Sequence, residues 1–196
     1  MARVLLEQRP CQSTAGGDFG SAPASFPMRI SFRVGAELLD RVRTELRRPH
    51  SFAAERVGFL SCRVGAIEPS GWIVLAHAFH PIADNDYLRD RSVGAMMGSA
   101  ALRKALQFSF HHEVGMFHVH IHDHRGDPWF SRTDLRENAT FIPDFFHVRP
   151  HLVHGAIVLS QDSLAGMCWH PQSPKPIRFS DFSVVGSPMR LSRRSG

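Results

Sequence analysis

Cysteine is scarce in this chain. Cys11, Cys62 and Cys168 are its only three, they are far apart, and no Cys-x-x-Cys pair exists. That excludes a disulfide framework or a zinc ribbon, and leaves two buried thiols and one near the N-terminus as the expectation. Long apolar runs are also missing. Nothing approaches the roughly 20 apolar residues of a membrane span. The opening Met-Ala-Arg-Val-Leu-Leu-Glu breaks its apolar segment after three residues, so no signal-peptide core is present and a cytoplasmic protein without a membrane partner is expected. Lysine is almost absent: Lys104 and Lys175 are the only two, so arginine carries nearly all the positive charge of a chain with formal charge +5. The arginines are scattered apart from Arg47-Arg48 and Arg193-Arg194, which argues against a nucleic-acid surface.

What is present suffices for a core. With 196 residues and 43% hydrophobic side chains the chain reads as one domain, spanning 28–182, between a Gly/Ala/Ser/Pro-rich N-terminal extension (1–27) and a basic C-terminal tail (183–196). A short strand at residues 3–6 is possible within the extension. Alternation predicts a strand at 30–34, and Leu38, Leu39, Val42 and Leu46 recur at helical spacing before Pro49. Strands are expected at 57–62, 72–79, 152–159 and 164–169, and helices at 92–110 and 133–141. Helices set between strands give a layered α/β (mixed α+β) domain with a mixed sheet.

The informative stretch is Met116 to Asp134. Phe117, Val119 and Ile121 alternate with His118 and His120, which predicts a half-buried strand. Residues two apart share a face, about 6.6 Å apart at roughly 3.3 Å per residue, so both imidazoles can reach one metal ion. After a turn through Gly126 and Pro128 comes Ser131-Arg-Thr-Asp134, at the expected start of a helix. Two histidines and an aspartate suit a catalytic zinc with one open position. Ser-x-x-Asp also fits a capping box, which would make both residues local, and the two roles are compatible. His122 continues the alternation. It could replace Asp134 as the third ligand, but a loop position is the preferred reading. Glu55 stands just before the first buried strand.

Glu55 with Val57-Gly58-Phe59-Leu60, then His118-x-His120, then Ser131-x-x-Asp134, resembles the JAMM (JAB/MPN) metalloprotease family over roughly residues 30–170. The family usually places seven residues between the second histidine and the serine, and this chain has ten after His120. The Gly-Asp-Pro-Trp-Phe-Ser turn looks similar to bacterial members encoded beside ubiquitin-like conjugation enzymes. The resemblance implies a JAB/MPN-like, cytidine-deaminase-like fold. It implies Zn2+ held by His118, His120 and Asp134 with water in the fourth position, Glu55 as general base and then acid, and Ser131 as donor to the oxyanion. The implied substrate is an amide or isopeptide after the C-terminus of a ubiquitin-like protein, with activating and conjugating enzymes as possible partners. Two rivals stand beside it. His118-Val-His-Ile-His122 matches the start of the histidine-triad nucleotide-hydrolase pattern, although Asp123 and His124 break it. A JAMM-like fold can also serve as a non-catalytic binding module. A zinc deaminase is discounted because His-x-Glu and Pro-Cys-x-x-Cys are both missing.

Overall fold

The computed structural model describes residues 28–50, 53–67, 71–90, 94–171, 173, 175–186 and 190–193. Cys11 and the possible strand at 3–6 lie outside them. No helix among the described residues is long and apolar enough to cross a membrane.

The elements run β1 (Arg29–Gly35), α1 (Ala36–Leu46), β2 (Val57–Ile67), β3 (Gly71–Pro81), β4 (Tyr87–Leu88), β5 (Met96–Met97), α2 (Ser99–His112), β6 (Gly115–Ile121), α3 (Arg132–Phe141), α4 (Asp144–Val148), β7 (His154–Leu159), β8 (Leu164–Trp169), β9 (Ile177–Arg178), β10 (Asp181–Val185) and β11 (Arg190–Arg193). A 3-10 turn (Asp84–Asp86) precedes β4. Nine strands form one sheet in the order β11-β10-β1-β3-β2-β6-β7-β8-β9, while β4 and β5 pair separately. The sheet is mixed. β1 is parallel to both β3 and β10, and β6 is parallel to β7, with antiparallel pairs between. The layered α/β class expected from the pattern is therefore observed.

Both faces of the sheet are covered around β6, while β3 leaves Leu75 exposed on one of them. On one side Ile30, Phe32 and Val34 of β1 and Phe117, Val119 and Ile121 of β6 pack with Leu39, Val42 and Leu46 of α1. On the other, Val57, Phe59 and Met116 pack with Ala101 and Ala105 of α2 and Phe145 of α4. β6 is consequently not the half-buried strand its alternation suggests. Six of its seven residues are buried, because its imidazole face lies under helices as well.

Three elements differ from expectation. Met96 and Met97 form β5 against β4 rather than the first turn of α2, which starts one residue beyond Gly98; the Gly98 N–H is held by the Asp86 carbonyl at 2.8 Å. The expected tail supplies strands instead. β10 runs to Val185, pairs with β1 and is anchored by Asp181, whose carboxylate accepts from Arg33 at 2.7 Å and Ser31 at 2.8 Å; β11 then pairs with β10. The β1–β10 pairing is long-range and leaves no signal in the local sequence, and β11 folds back on β10 as a hairpin. Cys62 and Cys168 are buried and free, and burial pushes the Cys168 thiol up to about 12.

His154 opens β7 fully buried, stacked on Phe145 at 5.0 Å, with Nδ1 accepting the Met116 N–H at 3.1 Å. Burial pushes its pKa down to about 4 from 6.5. The unfolded chain takes up that proton below about pH 6.5 and the folded chain only near pH 4, so this share of stability is complete above 6.5 and lost toward 4. The shift corresponds to about 3 kcal/mol. Urea midpoints should fall between pH 7 and 4.5. The fall should be shallower in His154→Asn, which keeps an acceptor for Met116 but does not titrate; equal slopes would remove His154 as the cause.

Candidate metal centre

β6 lies between β2 and β7, with His120 opposite Val57 and Val158, and His118 opposite Phe59 and Ala156. Both imidazoles project to the face covered by α2, α3 and α4. The strand ends at Ile121, but the His122 N–H still bonds the Leu159 carbonyl at 2.9 Å. That bond carries the pleat one residue further and keeps His122 on the His120 side. His120 Nε2 lies 3.2 Å from His122 Nε2.

Asp134 reaches the same point from helix α3. Ser131 is the N-cap, and the capping box is complete: Ser131 Oγ accepts the Asp134 N–H at 3.1 Å, and Asp134 Oδ2 accepts the Ser131 N–H at 2.7 Å. The same Oδ2 stands 3.5 Å from His120 Nε2 and 3.8 Å from His122 Nε2. Capping thus orients the carboxylate toward the rings. Burial acts to raise the Asp134 pKa, but the bond to His120, its charge and Ser131 outweigh it and hold the carboxyl well below the usual range. His122 is shifted down, by burial first and then by His120, with Glu55 and Asp134 opposing.

Among the described residues, His120, His122 and Asp134 form the group whose ligand atoms lie within 4.8 Å of one another. The fit to a metal can be tested on the three separations. Ligands about 2.0–2.2 Å from a tetrahedral zinc stand about 3.3–3.6 Å apart. The observed 3.2, 3.5 and 3.8 Å bracket that edge length. Two imidazole nitrogens and one carboxylate oxygen, all lone-pair donors to a divalent cation, thus point at one place.

The remaining expected residues are placed around this group. His118 sits one strand step back, its ring 5.8 Å from that of His120, and is not part of the converging set. Its Nδ1 is 3.0 Å from Asn138 Oδ1, and burial pushes its pKa down to about 3. Glu55 lines a cavity of about 480 Å³ together with His118, His120, Asp134, Met97 and Phe141. The β2–β6 register explains its reach, because two residues back from Val57, opposite His120, lies the level of His122. Ser131 stays at the helix cap and is not among the residues lining the cavity.

Gly94 fixes Glu55. The Glu55 N–H bonds the Gly94 carbonyl at 2.9 Å, and a Cβ on Gly94 would meet Glu55 Cδ at 2.8 Å and its two carboxylate oxygens at 3.0 and 3.1 Å. Gly94→Ala should push the carboxylate aside. If Glu55 acts on substrate, hydrolysis should fall about 10-fold or more with metal content unchanged, since small displacements of a catalytic group are costly. Unchanged hydrolysis would show that Glu55 has room to move or has no part.

The sequence offers His122 only as an alternative to Asp134, with a loop position preferred, and it does not single out Asn138 or Gly94. For His122 the signal was there, since the imidazole alternation runs one step past the strand. Asn138 and Gly94 carry no local signature. Searches of the chain against protein-family models and against curated proteins find no match.

Proposed function

We propose that this chain is a zinc-dependent hydrolase of the JAMM (JAB/MPN) type, cleaving an amide or isopeptide bond after the C-terminal region of a ubiquitin-like protein. The observation that carries the reading is the meeting of His120, His122 and Asp134 at tetrahedral-edge separations beside a cavity that also holds Glu55. Counted from His122, eight residues precede Ser131, one more than the family's usual seven, so the motif fits better one strand step later than His118-x-His120.

His120, His122 and Asp134 would hold the ion, which when bound polarises a carbonyl and lowers the pKa of water to about 7. Glu55 takes the proton of the attacking water and returns it to the leaving nitrogen. The family resemblance also makes Ser131, held at the cap beside Asp134, the hydroxyl donor to the oxyanion. Val57, Met96, Met97, Leu102 and Phe141 give the cavity apolar walls that keep bulk water from the reacting bond. The substrate, the conjugation enzymes as partners and a cytoplasmic site of action belong to the same proposal.

Elemental analysis of the purified protein tests it, alongside hydrolysis of a fluorogenic amide at the C-terminus of a ubiquitin-like protein before and after chelation. About one zinc per chain and activity lost on chelation are expected. Iron in its place would redirect the reading, because two histidines and a carboxylate also serve Fe(II). A metal-free, inactive protein would return it to a binding module.

A further inference from the structure

α3 is unusual in what it buries. Of its ten residues only Asn138 is buried, at 1% exposure, and its apolar Leu135 is exposed. A helix normally docks through an apolar stripe; this one presents an amide, with Phe141 at its C-terminal end as the apolar contact. The amide oxygen of Asn138 only accepts, so the His118 Nδ1, 3.0 Å away, carries the proton of that bond. The His118 ring is held edge-on to Phe141 at 5.2 Å and tilted against Phe59 at 5.8 Å, which leaves it one orientation.

The spacing is the argument. His118 precedes His120 by two strand residues, about 6.6 Å. Asn138 follows Asp134 by four helix residues, about 6 Å along the axis and on the same face. The two steps match in length and run in opposite chain directions. His118–Asn138 and His120–Asp134 are therefore parallel rungs between β6 and α3, one a hydrogen bond and the other, at 3.5 Å, two of the three ligand atoms.

We propose that the His118–Asn138 hydrogen bond is the cross-tie that holds α3, and with it Asp134, at metal-binding distance from β6. His118 is then a positioning residue and not a ligand. The inference rests on the metal reading of His120, His122 and Asp134.

The test is Co2+ titration of the metal-free full chain, read by visible absorption, with thermal unfolding of each variant recorded beside it. His118→Asn puts an amide N–H where Nδ1 was and removes Nε2. His118→Phe and Asn138→Leu keep bulk and lose the bond. Wild type and His118→Asn should bind one Co2+ with the same tetrahedral spectrum and similar affinity. His118→Phe and Asn138→Leu should bind about 10- to 100-fold more weakly, with little change in unfolding temperature. Loss of binding in His118→Asn equal to that in His118→Phe would make His118 a ligand and overturn the tie. Equal affinity in all four proteins overturns it too. Unfolding of His118→Phe and Asn138→Leu without metal would reduce the bond to plain support of the fold. If wild type itself takes up no cobalt, the metal reading beneath the proposal fails instead.

Discussion

Replacing Glu55 with Gln should lower amide hydrolysis by about 10²- to 10⁴-fold, the usual worth of a positioned acid–base group, while zinc content stays at the wild-type level. The two readouts separate because Glu55 is outside the converging ligand set yet lines the same cavity. Gln keeps the volume and the backbone bond to Gly94, so only the capacity to take and return a proton is lost. Turnover and zinc are measured on the same preparation. Near-wild-type turnover would end the acid–base role. Loss of zinc would move Glu55 into the ligand shell.

The second large effect concerns His122. Its side chain is 19% exposed and follows the last residue of β6, so truncation should leave the fold intact. His122→Ala should nonetheless strip the protein of metal, from about one ion per chain to near none after dialysis, because His120 and Asp134 alone leave two ligands of a site that needs three. Activity should go with it. Full metal content in His122→Ala would return the third position to His118, the arrangement that the sequence resemblance implied.

Much of the fold was readable because its signals are local. β1, α1, β2, β3, β6, β7 and β8 are announced by alternation or by a helical recurrence, each ended by a Pro, Gly or polar run. β10 was not, since Arg33–Asp181 and the parallel pairing with β1 join residues about 150 positions apart, and β11 is placed only by its hairpin with β10. Met96 and Met97 misled because an apolar pair before a helix has helical spacing whether or not the chain turns at Gly98. At the site, His120 follows from its place in the imidazole alternation, Ser131 and Asp134 from a spacing that also fits a capping box, and Glu55 only from the family resemblance. The choice between His118 and His122 does not. Both share the His120 face, and what separates them is the direction from which Asp134 approaches, which depends on how α3 lies on the sheet.

The pairing of β1 with β10 has a consequence for synthesis. Ile30 and Ser31 bond to Ser180 and Asp181 across a separation of 150 residues. While the ribosome is still translating, the outer edge of β1 therefore has no neighbour until residues 181–185 have emerged. A nascent strand edge left open that long is exposed to mispairing with other chains, so β10 acts as the seal on the first strand of the sheet.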